Sequence, residues 1–322
     1  MKNNLTTTKN TDLILKKSKS MLNITNRILS GKTALTQIDE SWIERLWAWA
    51  DENEIEEDDL PRDKKKLLEL TSLDLGWNEL KELPKEIVNL SNLTKLDLCR
   101  NQLSELPKEI GHLSNLTTLH LYHNQLTELP KEIGNLSNLT KLDLCRNQLS
   151  ELPKEIGNLS NLTSLNLEHN ELIELPKEIG NLFNLKNINI SDNQLIELPK
   201  EIGNLRNLTS LSLEDNQLRE LPKWIGNFSN LIRLCAFENK FSELPKEIGK
   251  LTNLTELILS NNQLTELPQE IINCISLISL ELQDNKSLVL SDEQKIWIKE
   301  LENNGCNIFM DNDLLYRNIN EK

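Results

Sequence analysis

The sequence predicts an α/β solenoid, in which short strand-and-turn units stack along one axis and share a single leucine interior. Three observations predict it. Ten asparagines, Asn78, Asn101, Asn124, Asn147, Asn170, Asn193, Asn216, Asn239, Asn262 and Asn285, recur at a constant interval of 23 residues. Each stands in a frame L-x-x-L-x-L-x-x-N-x-L, as in Leu93, Leu96, Leu98, Asn101 and Leu103. Nine of the ten prolines open a following L-P-K-E-I segment, from Pro84 to Pro268. A fixed period of this kind marks units that cannot bury their own apolar face and must borrow cover from their neighbours.

The elements follow in chain order. Residues 1–36 carry seven Lys or Arg against Asp12, which leaves that segment at +6 and the remainder at −20 within a net charge of −14. Two readings of it stay open: a frayed or partly helical tail, and a basic membrane-surface or targeting helix. Residues 37–69 are expected to form an amino-terminal cap and an acidic connector. Trp42, Ile43, Leu46, Trp47 and Ala50 fall on one helical face, with Asp39 or Ser41 as N-cap, and Glu52 to Asp59 is a solvated acidic run.

Residues 70–290 form the array of ten units. Apolar and polar residues alternate around Leu96 and Leu98, which predicts a half-buried strand with its leucines pointing inward. The asparagine then leaves the strand at a bend, where a side-chain amide serves both donors and acceptors, so stacked copies form a polar ladder. The proline that follows has the fixed φ and missing N–H that suit the first turn of a short helix or 3-10 segment on the convex side. Seven glycines (Gly111, Gly134, Gly157, Gly180, Gly203, Gly226 and Gly249) come after its isoleucine. They are expected to adopt positive φ and redirect the chain. Val88 and Ile272 break this column in the terminal full units. Residues 291–310 read as a carboxy-terminal cap: a capping box at Ser291 and Gln294, a helix carrying Ile296, Trp297 and Leu301, a stop at Gly305, and a last strand from Cys306 to Met310. Residues 311–322 are expected to fray.

The repeated L-P-K-E-I-G-N-L-S-N-L-T-x-L-x-L-x-x-N-Q-L resembles the 23-residue leucine-rich repeats of the Scribble and plant intracellular Ras-group type, over residues 70 to about 290. It is similar also to bacterial cytoplasmic or effector leucine-rich-repeat proteins. The resemblance implies a right-handed horseshoe with a parallel concave sheet, and a non-enzymatic scaffold for a protein partner. The alternative it leaves is a membrane-associated or secreted effector or adaptor whose basic amino-terminal segment contributes targeting.

In such a stack the non-leucine strand residues face the concave side. Their first part is mixed and partly basic: Trp77, Lys95, Asp97, Arg100, His120, Tyr122, His123, Lys141, Asp143 and Arg146. Beyond them the residues are mostly acidic: Glu168, Asp192, Glu214, Asp215 and Glu238, continuing through Glu256, Glu281 and Asp284, with His169 and Arg233 interspersed. This graded surface is the expected partner site, with Trp77, Tyr122 and Phe237 as aromatic anchors. Trp77 has the alternative of lying beneath the cap. In the irregular eighth unit Phe228, Ala236 and Phe241 are read as volume-compensating core, while Trp224 and Phe237 are not absorbed that way.

Other functions find little support. His120, His123 and His169 are read as solvated surface residues, since no Cys or carboxylate cluster at zinc-like spacing completes a shell around them. No phosphate-cradling loop, nucleophile elbow or H-E-x-x-H motif occurs. No cofactor and no catalytic residue is expected. The acidic balance disfavours nucleic acid. The five cysteines are odd in number and scattered, as free thiols in a reducing compartment are. The six N-L-T triplets at strand starts, such as Asn92 to Thr94, are repeat consensus rather than glycosylation sites. A monomer in the cytosol is the expectation, with export to a host cell without a classical signal peptide as the alternative, and no apolar run is long enough for a membrane span.

Overall fold

The computed structural model describes residues 40–316. The chain divides into two compact units, residues 1–45 and 46–322. Helix α1 (Ser41–Glu52) begins in the first and continues into the second, and α2 (Lys64–Leu68) follows. Residues 1–36, with both readings of the basic segment, lie outside the described residues, as does Asp39.

In α1 the buried side chains are Trp42, Ile43, Leu46, Trp49 and Ala50. Their spacing is helical, so Trp49 takes the place on the apolar face that the sequence reading gave to Trp47. Trp47 sits at the margin and its indole N–H donates to the Pro61 carbonyl at 3.0 Å.

Eleven three-residue strands then form one open curved sheet in strict sequence order, every pair parallel. They are β1 (Ser72–Asp74), β2 (Lys95–Asp97), β3 (Thr118–His120), β4 (Lys141–Asp143), β5 (Ser164–Asn166), β6 (Asn187–Asn189), β7 (Ser210–Ser212), β8 (Arg233–Cys235), β9 (Glu256–Ile258), β10 (Ser279–Glu281) and β11 (Asn307–Phe309). Registers advance by 23 residues, as in Leu96 against Leu119, until β10 meets β11. The middle residue of β1 to β10 is buried Leu or Ile, which is what the alternation of Leu96 and Leu98 with polar neighbours required. Phe228, Ala236 and Phe241 are fully buried, so the eighth unit keeps its volume with different shapes.

On the outer side each of the nine prolines from Pro84 to Pro268 stands with φ between −61 and −69° immediately before a five-residue 3-10 turn, from Lys85–Asn89 to Gln269–Asn273. The glycines that close these turns correct the sequence reading. Among the described glycines only Gly305 has positive φ, at 88°. The others are small because the next unit lies against them: a Cβ on Gly157 would stand 2.4 Å from the Glu178 carbonyl oxygen and 2.8 Å from its Cβ. Close stacking, and not backbone handedness, selects glycine here.

The predicted asparagine ladder is present. Asn147 donates to the carbonyls of Leu121, one unit earlier, and Leu144, within its own bend, both at 3.0 Å. Its Oδ1 accepts the Leu126 N–H at 3.1 Å. A second, exposed ladder accompanies it, in which Asn138 donates to Ser114 O at 2.8 Å and Thr140 to Thr117 O at 2.9 Å. This accounts for the N-L-T triplets: both polar side chains tie one unit to the unit before it.

At the far end Ser291 and Gln294 form the capping box of α3 (Asp292–Asn303). Trp297, Ile298 and Leu301 are buried while Ile296 is exposed, so Ile298 replaces Ile296 on the apolar face. Helix α3 packs on the outer turn Gln269–Asn273, and the buried Gln294 amide donates to Leu267 O at 2.9 Å. The segment after β11 does not fray at once. Asp311 accepts the Asp284 N–H at 3.0 Å, and Leu314 is buried in a short 3-10 turn that ends at Tyr316. Residues 317–322 lie outside the described residues.

Candidate partner-binding face

The bend residue just before each asparagine has an unusual backbone. Trp77, Arg100, His123, Arg146, His169, Asp192, Asp215, Glu238, Asn261 and Asp284 all have φ between 48 and 65°, the left-handed region. For a residue with a Cβ this costs about 1 kcal/mol or more. Part of the offset is visible, because the N–H exposed by the bend finds a carbonyl one unit on: Arg100 N to Tyr122 O and Arg146 N to Glu168 O, both 2.8 Å. Asn and Asp tolerate this conformation best. The acidic half largely uses Asp or Asn, whereas the first half places Trp, Arg and His there.

None of the sequence-predicted site residues is buried. Trp77, His123, Lys141, Arg146, His169, Asp215 and Glu238 are exposed, and Lys95, Asp97, Arg100, His120, Tyr122, Asp143, Glu168, Asp192, Glu214 and Phe237 are intermediate. Trp77 is 73% exposed, so it does not lie beneath a cap. The left-handed bend after Leu121 turns His123 out, and His120 and His123 both reach solvent although they are three apart on the chain.

The structure joins several of these residues. The Arg100 guanidinium lies 4.2 Å above the Trp77 ring and 5.1 Å from the Tyr122 ring, and donates to the Tyr122 hydroxyl at 3.0 Å. Tyr122 and His123 meet edge to face with centroids 5.7 Å apart. These contacts hold one amphipathic platform across the first three units. Farther along, His123, Arg146, His169 and Asp192 line a groove above the buried asparagines, and His169 Nδ1 hydrogen-bonds Asp192 Oδ2.

Phe237 stands apart from that platform. Arg233, the basic exception in the acidic half, is held by Glu256 through contacts of 2.5 and 2.9 Å. The two hydrogen bonds push the arginine pKa up and the carboxyl down, so the local charge is cancelled and the acidic end stays acidic. Trp224 faces away from the sheet, its ring 5.6 Å from Phe228 on the outer side.

One feature that sequence reasoning missed is a meeting of donors across β2 and β3. Asp97, Cys99 and His120 place one ligating atom each within 4.8 Å of one another. Register alone pairs Asp97 with His120, but the reach of Cys99 depends on the bend geometry. Burial raises the Cys99 thiol to about 12, with Asp97 adding to it. Burial also raises Asp97, but hydrogen bonds from Cys99 and His120 outweigh that and its carboxyl ends below its ordinary range. The thiol is thus protonated and no nucleophile at neutral pH.

Glu214 is the strained carboxylate of the acidic half. Burial raises its pKa, only partly offset by the Ser191 hydroxyl that donates to it. The native state therefore keeps a proton that the unfolded chain loses near its ordinary value of 4.5. Stability linked to Glu214 is full below that pH and is lost as pH rises through the native value. Glu214→Gln is expected to raise Tm by about 1–2 °C at pH 7, with the gain vanishing near pH 4, in paired thermal melts of wild type and variant.

No helix among the described residues is long and apolar enough to cross a membrane. The five cysteines are free.

Comparison with known proteins agrees with this geometry. A family model described as leucine-rich repeat region matches residues 51–147 and 176–241, and a leucine rich repeat model matches 138–159, 161–182 and 253–274. No curated protein matches. Among solved structures, a leucine-rich-repeat protein of Leptospira interrogans is 36% identical with a TM-score of 0.66, over 77% of this chain and 68% of that one. The ectodomain of the Arabidopsis thaliana receptor kinase GASSHO1/SCHENGEN3, in complex with CASPARIAN STRIP INTEGRITY FACTOR 2, is 33% identical with a TM-score of 0.64 over 75% of this chain. The plant peptide hormone receptor RGFR1, in complex with RGF2, is 34% identical with a TM-score of 0.63 over 70% of it. The matched regions span only 30% and 37% of those two receptor chains. With the 23-residue register, the parallel sheet and the asparagine ladder in place, these matches make the chain a member of the leucine-rich-repeat family.

Proposed function

We propose that the protein binds a protein partner on its concave face, with the Trp77–Arg100–Tyr122 platform as anchor and the acidic half as a steering field. The observation that carries this reading is the platform itself. A 73% exposed tryptophan is stacked under an arginine, and both sit in a backbone conformation that asparagine fills at less cost. Strained positions that keep large side chains are candidates for recognition, and Trp, Tyr and Arg are the usual anchors at interfaces. Two solved relatives are complexes of a plant receptor with a second protein or peptide, which supports a binding role for the same architecture. The mixed and acidic halves favour a partner of opposite polarity and a rate of encounter that falls with salt. We place the repeats with the Scribble and plant intracellular Ras-group type, on the L-P-K-E-I-G frame, and read the chain as a scaffold without catalysis.

The test uses Trp77→Asn and Arg100→Asn together. Asparagine suits the left-handed bend, so the melting temperature is expected to hold or rise. Capture from lysate of the protein that wild type retains is expected to fall about tenfold or more, the usual effect of losing an anchor. Undiminished capture by the folded double variant removes the platform from the binding site.

A further inference from the structure

We propose that Asp97, Cys99 and His120 form a binding site for a zinc-class transition-metal ion on the concave face. The proposal goes beyond the partner-binding reading and stands without it. Asp97 ends β2, His120 ends β3, and the parallel register sets them side by side, with His120 Nδ1 3.1 Å from Asp97 Oδ2. Cys99 lies two residues beyond Asp97, and its own N–H donates to Asp97 Oδ1 at 3.1 Å, which turns the carboxylate's other oxygen toward the ring.

The three ligating atoms lie within 4.8 Å of one another, and all three residues are half-buried. A tetrahedral zinc ion with bonds of about 2.0–2.3 Å sets its donors about 3.3–3.8 Å apart, so small rotamer shifts close the shell. Among the described residues this is the one grouping of three or more such side chains at this spacing.

The donor set chooses the ion. One thiol, one imidazole and one carboxylate suit zinc or cobalt and not calcium or magnesium, which take oxygen ligands. Three protein ligands leave a fourth position for water on the open side of the sheet. The protonated thiol is no obstacle, because a coordinating ion displaces the proton from a thiol outright. The Lys95 ammonium, 3.6 Å from Asp97 Oδ2, competes only as a solvent-exposed charge.

The protein carries its own control. Two units on, Asp143 and Cys145 repeat the first two ligands with the same N–H contact at 3.1 Å, but the neighbouring strand presents Asn166 where His120 stands. That copy offers two ligands and binds no ion by this argument.

The experiment is a titration of the full chain, after EDTA treatment and dialysis, with Co2+ alone and then Zn2+ alone. Wild type is expected to give the near-ultraviolet thiolate-to-cobalt band and to bind one equivalent of Zn2+ in equilibrium dialysis. Cys99→Ser, His120→Asn and Asp97→Asn are each expected to weaken binding about tenfold or more and to keep the wild-type far-ultraviolet circular dichroism. Cys145→Ser is expected to bind as wild type does. Absence of the band and of stoichiometric zinc overturns the site, as does binding that survives Cys99→Ser and His120→Asn or that Cys145→Ser weakens equally. Asp97→Asn keeps the acceptor of the Cys99 N–H, so it answers the question even if a ligand variant in the bend folds poorly.

Discussion

Asn147→Ala is expected to lower the unfolding free energy by about 3–5 kcal/mol, read as a fall in the urea midpoint at unchanged slope. The side chain has no exposed role that alanine would inherit. Its Nδ2 serves Leu121 O and Leu144 O, and its Oδ1 serves Leu126 N. Truncation leaves the buried Leu126 N–H without its acceptor, at about 1–3 kcal/mol, and takes one of two side-chain donors from Leu121 O and from Leu144 O, at about 1 kcal/mol each, with Asn124 and Asn170 remaining on them. The matched control is Asn138→Ala in the second ladder. That amide makes one exposed contact, to Ser114 O at 2.8 Å, and water replaces it, so a loss of about 1 kcal/mol or less is expected. Equal losses at the two positions would refute the claim that burial sets the worth of an asparagine in this array.

The second large effect belongs to the glycine column. Gly157→Val is expected to cost about 3 kcal/mol or more in the same urea measurement. A Cβ there meets the Glu178 carbonyl oxygen at 2.4 Å, and backbone cannot swing aside as a side-chain tip does. Two outer turns must separate, which strains the strands and ladders that join the same units. Gly305→Ala is the contrast. There φ is +88° and no atom lies within 4 Å, so only the conformational cost remains, about 1 kcal/mol. If Gly157→Val were as mild as Gly305→Ala, close stacking would not be what selects glycine between the units.

The glycines also show where a correct element rests on a wrong cause. Position within the period, after Ile156 for example, marks the end of an outer turn, but a period says nothing about how near the next unit comes. The sequence leads one to expect positive φ at the seven turn-closing glycines, whereas the ten bend residues from Trp77 to Asp284 adopt it. Similar limits apply to the caps. The helical spacing of Trp42, Leu46 and Ala50 locates an apolar face, yet the choice between Trp47 and Trp49, or Ile296 and Ile298, depends on which neighbour is there to cover it.

The unit, its length, the inward leucines, the parallel order of strands, the polar ladder and the surface on which varied residues collect are all legible in the amino-acid order. Those follow from local periodicity and from the need of each unit for its neighbours. Which of the varied residues act together depends on how the units pack in three dimensions. Arg100 meets Trp77 and Tyr122 across neighbouring units, with Trp77 and Arg100 both on left-handed bends, and Asp97 and Cys99, two residues apart on one strand and its bend, meet His120 of the next strand. The 23-residue period brings the units together, while the direction of each side chain is set by φ at the bend and by the space its neighbours leave.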